Sequence, residues 1–134
     1  MVSEAQLNIE TTKDGSFTLY NAQLDATYHS RFGAVQESRH VFIQNGLDFL
    51  FHQTDEPIKI LEVGFGTGLN ALLTALACEK SGRSVLYQSI EKFPLSSSIV
   101  VKLAQHTSLK PHNHLFNRLH CSEWEKIAEI KPGF

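Results

Sequence analysis

In Glu62-Val63-Gly64-Phe65-Gly66-Thr67-Gly68, an acid is followed by three glycines at alternate positions, and no other stretch of this 134-residue sequence has clearer chemical potential. Glycine permits positive φ and lets a ligand touch the main chain. A helix starting after such a turn aims free amide donors and the positive end of its dipole at the same point. A dinucleotide fingerprint needs another glycine three places after Gly66, where Leu69 stands. With the third glycine at Gly68 the pattern becomes GxGxG behind an acid, which suits a ligand without a pyrophosphate. Glu62 would accept a hydrogen bond from the ammonium of a methionine moiety, while the glycine amides pack against ribose and carboxylate. Further along, Glu91 ends a second apolar run, where doubly wound folds place an acid that hydrogen-bonds ribose hydroxyls. The plainer alternative is a tight strand-to-helix turn with two surface acids beside it and glycines that serve packing only. Two acids and a glycine turn, each with the right flanking elements, favour a cofactor crevice.

These residues need particular elements to hold them. Residues 58–63, IKILEV, form a short β-branched and apolar run of the kind that fills a buried parallel strand. LNALLTALACEKSG joins good helix formers to a closing Gly82, and residues 84–91, SVLYQSIE, read as a second strand. Strand, glycine turn, helix and strand make a right-handed βαβ unit of an α/β fold. Upstream, residues 7–20 alternate apolar and polar side chains around Asp14-Gly15, which predicts a β-hairpin. Residues 28–37 are polar and mixed. From 40 to 50 the apolar Val41, Phe42, Leu47 and Leu50 have helical spacing, with Asn45-Gly46 a candidate interruption before the segment ends at Pro57. Downstream, a helix is expected over residues 95–105, and helical spacing continues through Leu115, Phe116, Leu119, Trp124, Ile127 and Ile130. The expected organisation is a hairpin and pre-domain segment over 1–57, followed over 58–134 by the first part of a Rossmann-like domain, incomplete at its C-terminal end.

Composition narrows the class. With 42% hydrophobic and 19% charged residues the chain is of soluble globular type. Its net charge of -2, from 12 Lys+Arg against 14 Asp+Glu, is not the basic balance of a general nucleic-acid binder, so any RNA contact must be local. Candidate phosphate contacts are Arg31, Arg39 and His40 upstream and Lys110, His112, His114, Arg118 and His120 downstream, although scattered charges of this kind more often form solvated faces. Cys78 and Cys121 lack metal-ligand spacing; Cys78 is expected in the core, Cys121 at the surface, and neither a disulfide nor a metal site is expected. No apolar stretch approaches a membrane span and the N-terminus lacks leader character, so the expected location is cytoplasmic.

The sequence resembles the methyltransferase domain of the tRNA 5-methylaminomethyl-2-thiouridine biosynthesis family. The resemblance is carried by E-x-GFGTGLN from Glu62 to Asn70, S-x-EKFPL from Ser89 to Leu95, ES-x-HVF-I with GL from Glu37 to Leu47, and Tyr28-His29-Ser30 with Gly33. It implies a Rossmann-like class I fold that binds S-adenosyl-L-methionine and methylates the aminomethyl nitrogen of 5-aminomethyl-(2-thio)uridine at the tRNA wobble position, with the anticodon arm as partner. It further implies that Glu62, Gly64, Gly66 and Gly68, with Phe65, Thr67 and Asn70 of the same motif, hold the methionine end. Glu91 would hold the ribose, Lys92 or Phe93 would edge the adenine pocket, and Tyr28, Ser30 and Glu37 would close the pocket from the pre-domain segment. No metal and no covalent nucleophile is implied.

This sequence departs from the family pattern in holding no counterpart of an Asp-bearing strand end near the transferred methyl, so no catalytic residue is carried over; nor does it hold the family's flavin-dependent domain. The 134 residues taken alone are therefore expected to be inactive. Two apolar parallel strands need cover that a two-stranded sheet cannot supply, so an open apolar edge is also expected. Other readings are a methyltransferase acting on a small molecule or a protein, a non-catalytic donor-binding fragment, and, disfavoured by Leu69, a nicotinamide dehydrogenase.

Overall fold

The computed structural model describes residues 6–134; the first five residues of the expected pre-domain segment lie outside them. Strands β1 (Leu7–Thr11) and β2 (Phe17–Asn21) pair antiparallel, with Thr11 opposite Phe17 across a turn in which Gly15 takes φ 79°. This is the hairpin expected around Asp14-Gly15. A two-residue strand β3 (Ala26–Thr27), which the sequence reading did not include, pairs with the other side of β2. As a result β2 is central. Phe17 and Leu19 are fully buried in the core, and Thr18 on the opposite face accepts the His29 amide at 2.9 Å.

Asp14 ties the hairpin turn to the helix that follows. Its Oδ1 accepts the Thr12 and Ser16 hydroxyls and the Ser16 amide, and its Oδ2 accepts the Gln36 amide at 2.9 Å. Burial opposes the charge of this carboxylate, but those hydrogen bonds outweigh it and hold the Asp14 pKa at about 2. Gly33 makes the approach possible, since a Cβ there would lie 2.8 Å from Asp14 Oδ2. Helix α1 (Ala34–Ser38) then runs through a π-helical stretch, Arg39–Asp48, into α2 (Phe49–Gln53). Asn45-Gly46 does not interrupt it: Asn45 Nδ2 donates to His40 O at 2.7 Å, and Leu47 and Ile43 pack into a core below.

The βαβ unit is β4 (Ile58–Val63), α3 (Leu69–Ser81) and β5 (Val85–Ile90), with the strands parallel from Ile58 opposite Val85 to Val63 opposite Ile90. Gly82 closes α3 in the left-handed region, φ 68°. Helix α4 (Ser97–Ala104) is capped by Ser96, whose Oγ accepts the Ile99 amide, and a 3-10 turn (Lys110–His112) leads into α5 (Asn113–Cys121). Phe17 and Leu19 of β2 share one core with Leu72 of α3, Ile99 and Leu103 of α4, and Phe116 of α5. A second core joins Ile58, Val85 and Cys78 to Leu47. The architecture is α/β. Cys78 is buried and Cys121 exposed, both as free thiols, and among the described residues no helix is long and apolar enough to cross a membrane.

One sequence expectation is corrected. Helical spacing does not continue to Ile130: α5 stops at Ser122, which turns to ψ 136° and donates its hydroxyl back to Arg118 O. The chain then folds back so that Gly133 O accepts the Val85 amide at 2.9 Å, Ile130 is buried, and Ile127 is left 93% exposed. Apolar spacing alone cannot hold a helix when docking its tail on β5 buries Ile130 and Phe134 instead. The expected open edge is present, since β4 and β5 form a two-stranded sheet, and one face of that sheet is open as well. Leu61 and Val63 of β4 and Leu86 and Ile90 of β5 all point away from α3 and are exposed.

Arg83 links the two halves of the chain. Its guanidinium donates to Phe51 O at 2.8 Å and to Thr54 O, and it stacks 5.1 Å from the Phe51 ring, so it satisfies the free carbonyls at the end of α2 just before β4. Arg83→Ala is expected to cost about 2–3 kcal/mol of stability in denaturant unfolding, with little rescue by lysine, which lacks the planar fork whose two nitrogens reach separate carbonyls and the flat face that stacks on Phe51. For Asp14 the folded pKa lies below the unfolded one, so its stabilising contribution is present above the unfolded value, roughly 3.9, and is lost as pH falls towards about 2. Asp14→Asn should accordingly lower the melting temperature at neutral pH, and the gap from the unaltered protein should close as the pH is taken down through that window.

Candidate functional site

The end of β4 delivers Glu62 and then the glycine turn. Parallel register sets Ser89 opposite Glu62, on the side of the sheet that faces α3. Ser89 Oγ donates to Glu62 Oε2 at 2.8 Å, Asn70 Nδ2 from the first turn of α3 donates to Oε1 at 3.3 Å, and Tyr87 stands on the same face of the sheet. A carboxylate has about four acceptor positions, so Glu62 can take further donors beside these two. Burial raises the Glu62 pKa, and neighbouring Glu91 adds to the rise, while its polar neighbours Ser89, Tyr87 and Asn70 pull against it. The other amide atom of Asn70, Oδ1, is buried and has no partner among the described residues. Because a carboxylate can only accept, Asn70 must turn its NH2 towards Glu62, which leaves that oxygen as an unsatisfied acceptor alongside.

The turn then crosses from strand to helix. Gly64 donates its amide to Ile90 O at 2.7 Å, extending the ladder by one rung, and takes φ 89° with nothing within 4 Å of where a Cβ would sit. That open side is where a ligand can meet the main chain. Gly66 donates its amide to Glu91 Oε2 at 3.0 Å, and the Phe93 amide donates to Glu91 Oε1 at 2.8 Å, so Glu91 bridges the glycine turn and the segment after β5. Gly68, at φ 72°, is the N-cap of α3. Thr67 is fully buried, and its hydroxyl lacks a partner among the described residues.

Of the three pre-domain residues singled out in the sequence, the fold brings one to the turn. Tyr28 lies over Gly66, where an added Cβ would meet its ring at 3.2 Å, and burial together with the nearby Glu91 charge pushes its phenol pKa up. Ser30 and Glu37 hold the loop behind it instead: the Ser30 amide donates to Glu37 Oε2 at 2.8 Å, and Ser30 Oγ accepts the Phe32 amide at 3.1 Å. Lys92 and Phe93 are exposed next to Glu91, with the Lys92 ammonium 5.1 Å from the Phe93 ring. Phe65 turns away from the open side and meets His120 and Trp124 edge-on, with ring centres 5.3 and 5.8 Å away.

The sequence pattern alone did not point to two neighbours of Glu62, Tyr87 and its donor Ser89. They occupy alternate positions of SVLYQSIE, and once the two strands are paired in parallel that period places them on Glu62's face. Among the charged residues, Arg31 pairs with Glu10 at 2.9 Å and Arg118 donates to Glu129 O, so both are engaged within the chain. Arg39, His40 and His112 line one cleft of about 640 Å³ between the π-helical stretch, α3 and the 3-10 turn. Among the described residues no three His, Cys, Asp or Glu side chains cluster as metal ligands.

No protein-family model matches the chain. It is 33% identical over 120 residues to the tRNA 5-methylaminomethyl-2-thiouridine biosynthesis bifunctional protein MnmC of Methylobacillus flagellatus, a match covering 86% of this chain and 18% of that protein. The protein of the same name from Polaromonas sp. is 33% identical over 131 residues, 94% of this chain and 19% of the relative. That of Aeromonas salmonicida is 40% identical over 77 residues, 52% of this chain and 12% of the relative. The chain thus spans less than a fifth of the length of these curated relatives.

Proposed function

The chain belongs, over most of its length, with one segment of the tRNA 5-methylaminomethyl-2-thiouridine biosynthesis bifunctional proteins, and we propose that this segment is a methyltransferase part that binds S-adenosyl-L-methionine. In this reading it methylates the aminomethyl nitrogen of 5-aminomethyl-(2-thio)uridine at the tRNA wobble position. The observation that carries the proposal is the buried, partnerless Asn70 Oδ1 at the start of the glycine turn, beside the Glu62 carboxylate. A buried acceptor without a partner costs about 1–3 kcal/mol, and an ammonium group placed between it and Glu62 would satisfy that oxygen and pair with the carboxylate.

The rest of the chain fits the same ligand. Gly64 leaves main chain open to a ribose or carboxylate. Both Glu91 oxygens keep lone pairs after accepting the Gly66 and Phe93 amides, enough to accept ribose hydroxyls. Tyr28 closes the turn from the pre-domain side. Bound there, S-adenosyl-L-methionine supplies an activated methyl group on a sulfonium. What the protein must add is an unprotonated amine held in line with that methyl, which calls for orientation and desolvation of the amine rather than a covalent nucleophile. No described side chain is assigned as the base. On the RNA side, the cleft that carries Arg39, His40 and His112 is lined also by Asp14, and Arg39 is the cation in it that would meet a phosphate.

Calorimetry with S-adenosyl-L-methionine tests the donor site. Glu91→Ala should weaken binding by about 1.5–3 kcal/mol, the loss of charge-assisted hydrogen bonds. Since the Glu62 pKa is raised, donor affinity should fall with decreasing pH through a midpoint above the ordinary glutamate value of roughly 4.3, and Glu62→Gln should flatten that dependence. Unchanged affinity in both variants, or equal binding of NAD, would sink the donor assignment. For the substrate, affinity for tRNA should drop steeply as salt rises, because phosphate contacts release counterions. Arg39→Glu should weaken tRNA binding and leave donor affinity intact, whereas a salt-independent affinity would point to a small acceptor.

A further inference from the structure

Against the glycine turn sits a residue from far along the sequence. His120 belongs to the last turn of α5, yet its Nε2 lies 3.0 Å from Thr67 O. A carbonyl only accepts, so Nε2 carries the proton and donates. The ring is held on both sides, 5.3 Å from the Phe65 ring and 4.5 Å from the Phe116 ring by centroids, and Phe116 is itself fully buried. The fit is close enough that a Cβ on Gly68 would lie 3.2 Å from His120 Nε2 and 2.8 Å from the Phe65 ring. Burial lowers the His120 pKa and keeps the imidazole neutral, as a single directed donor rather than a cation. His120 is therefore withdrawn from the candidate phosphate contacts.

We infer that His120 is a positioning residue: its Nε2–H bond to Thr67 O, with its ring wedged between Phe65 and Phe116, fixes the glycine turn in the shape that presents Gly64, Gly66 and the start of α3 to the methyl donor. The inference rests on the donor-binding reading for its functional consequence and on the geometry alone for the lock itself. In this turn three glycines have positive φ. Glycine gains most freedom when released, and neither orphaned side-chain atom nearby, Thr67 Oγ1 or Asn70 Oδ1, restrains it. Beyond the turn's own closing bond, Gly68 N–H to Phe65 O at 2.9 Å, it is tied by Gly64 N–H to Ile90 O, by Glu91 after β5 and, from α5, by His120, which is the tie on Thr67. In the donor-binding reading Glu91 is assigned to the ribose, whereas His120 acts through Thr67.

Two variants separate the hydrogen bond from the packing. His120→Phe keeps an aromatic ring between Phe65 and Phe116 but cannot donate, and His120→Gln places an amide N–H near the Nε2 position without the ring. Amide hydrogen exchange on the ligand-free protein reads the lock directly. In His120→Phe the Gly66 and Gly68 amides should exchange about five-fold faster, as expected for a net hydrogen bond lost, while the β4 and β5 amides and the melting temperature change little; His120→Gln should restore most of the protection. Donor affinity by calorimetry should follow the same order, about five-fold weaker in His120→Phe and recovered in His120→Gln. Unchanged exchange at Gly66 and Gly68 in His120→Phe overturns the lock, and unchanged donor affinity beside faster exchange overturns its role in binding. Failure of the unaltered protein to bind the donor overturns that role along with the donor-binding reading, and the exchange result still decides the lock.

Discussion

A parallel strand that runs straight into a helix must reverse its backbone within a few residues, and here that reversal is made through positive φ at Gly64, Gly66 and Gly68. The geometry leaves the main chain at Gly64 without side chains in front of it. A turn with so much glycine has little stiffness of its own. Its shape comes from outside: the strand ladder through Gly64 N–H, the Glu91 carboxylate on Gly66, Tyr28 lying over Gly66, and His120 on Thr67. Four regions of the chain, the pre-domain loop, both strand ends and α5, converge on one short segment.

Glu62 shows how the same fold tolerates a half-buried charge. A carboxylate taken from water is costly unless hydrogen bonds replace what it loses, and register supplies them. Parallel pairing puts Ser89 opposite Glu62 and brings Tyr87 to the same face, and the first turn of α3 returns Asn70 to the end of β4. Asn70 Oδ1 stays unpaired beside the carboxylate, although buried polar groups are nearly always paired.

The sheet itself is lopsided. One face is covered by α3 and the π-helical stretch, the other carries Leu61, Val63, Leu86 and Ile90 into solvent, and Val63 is 82% exposed. Against this, the hairpin is better covered than a hairpin usually is, because β2 is flanked by two strands and backed by α3, α4 and α5. Much of the stability of these 134 residues therefore lies in the helical core around Phe17, Leu72, Leu103 and Phe116 rather than in the parallel pair that carries the glycine turn.

Local chemistry made much of this legible before any coordinates. Asp14-Gly15 marks a hairpin because few other dipeptides accept its turn; IKILEV and SVLYQSIE mark strands because β-branched apolar runs bounded by polar residues have few other uses; Gly82 marks a helix end because it adopts the left-handed region freely. The Glu62 and glycine pattern marks the turn for the same reason, since φ preference and charge are properties of single residues. What depended on distance in sequence was decided only by the tertiary structure. No local signal says that Tyr28 reaches Gly66 while Ser30 and Glu37 bond to each other, that α5 ends at Ser122 so that Ile130 and Phe134 can dock on β5, or that His120 leaves the surface to support Thr67. Each is a contact between segments whose encounter is set by how the whole core packs, and the energy that selects it is shared among residues that the sequence keeps far apart.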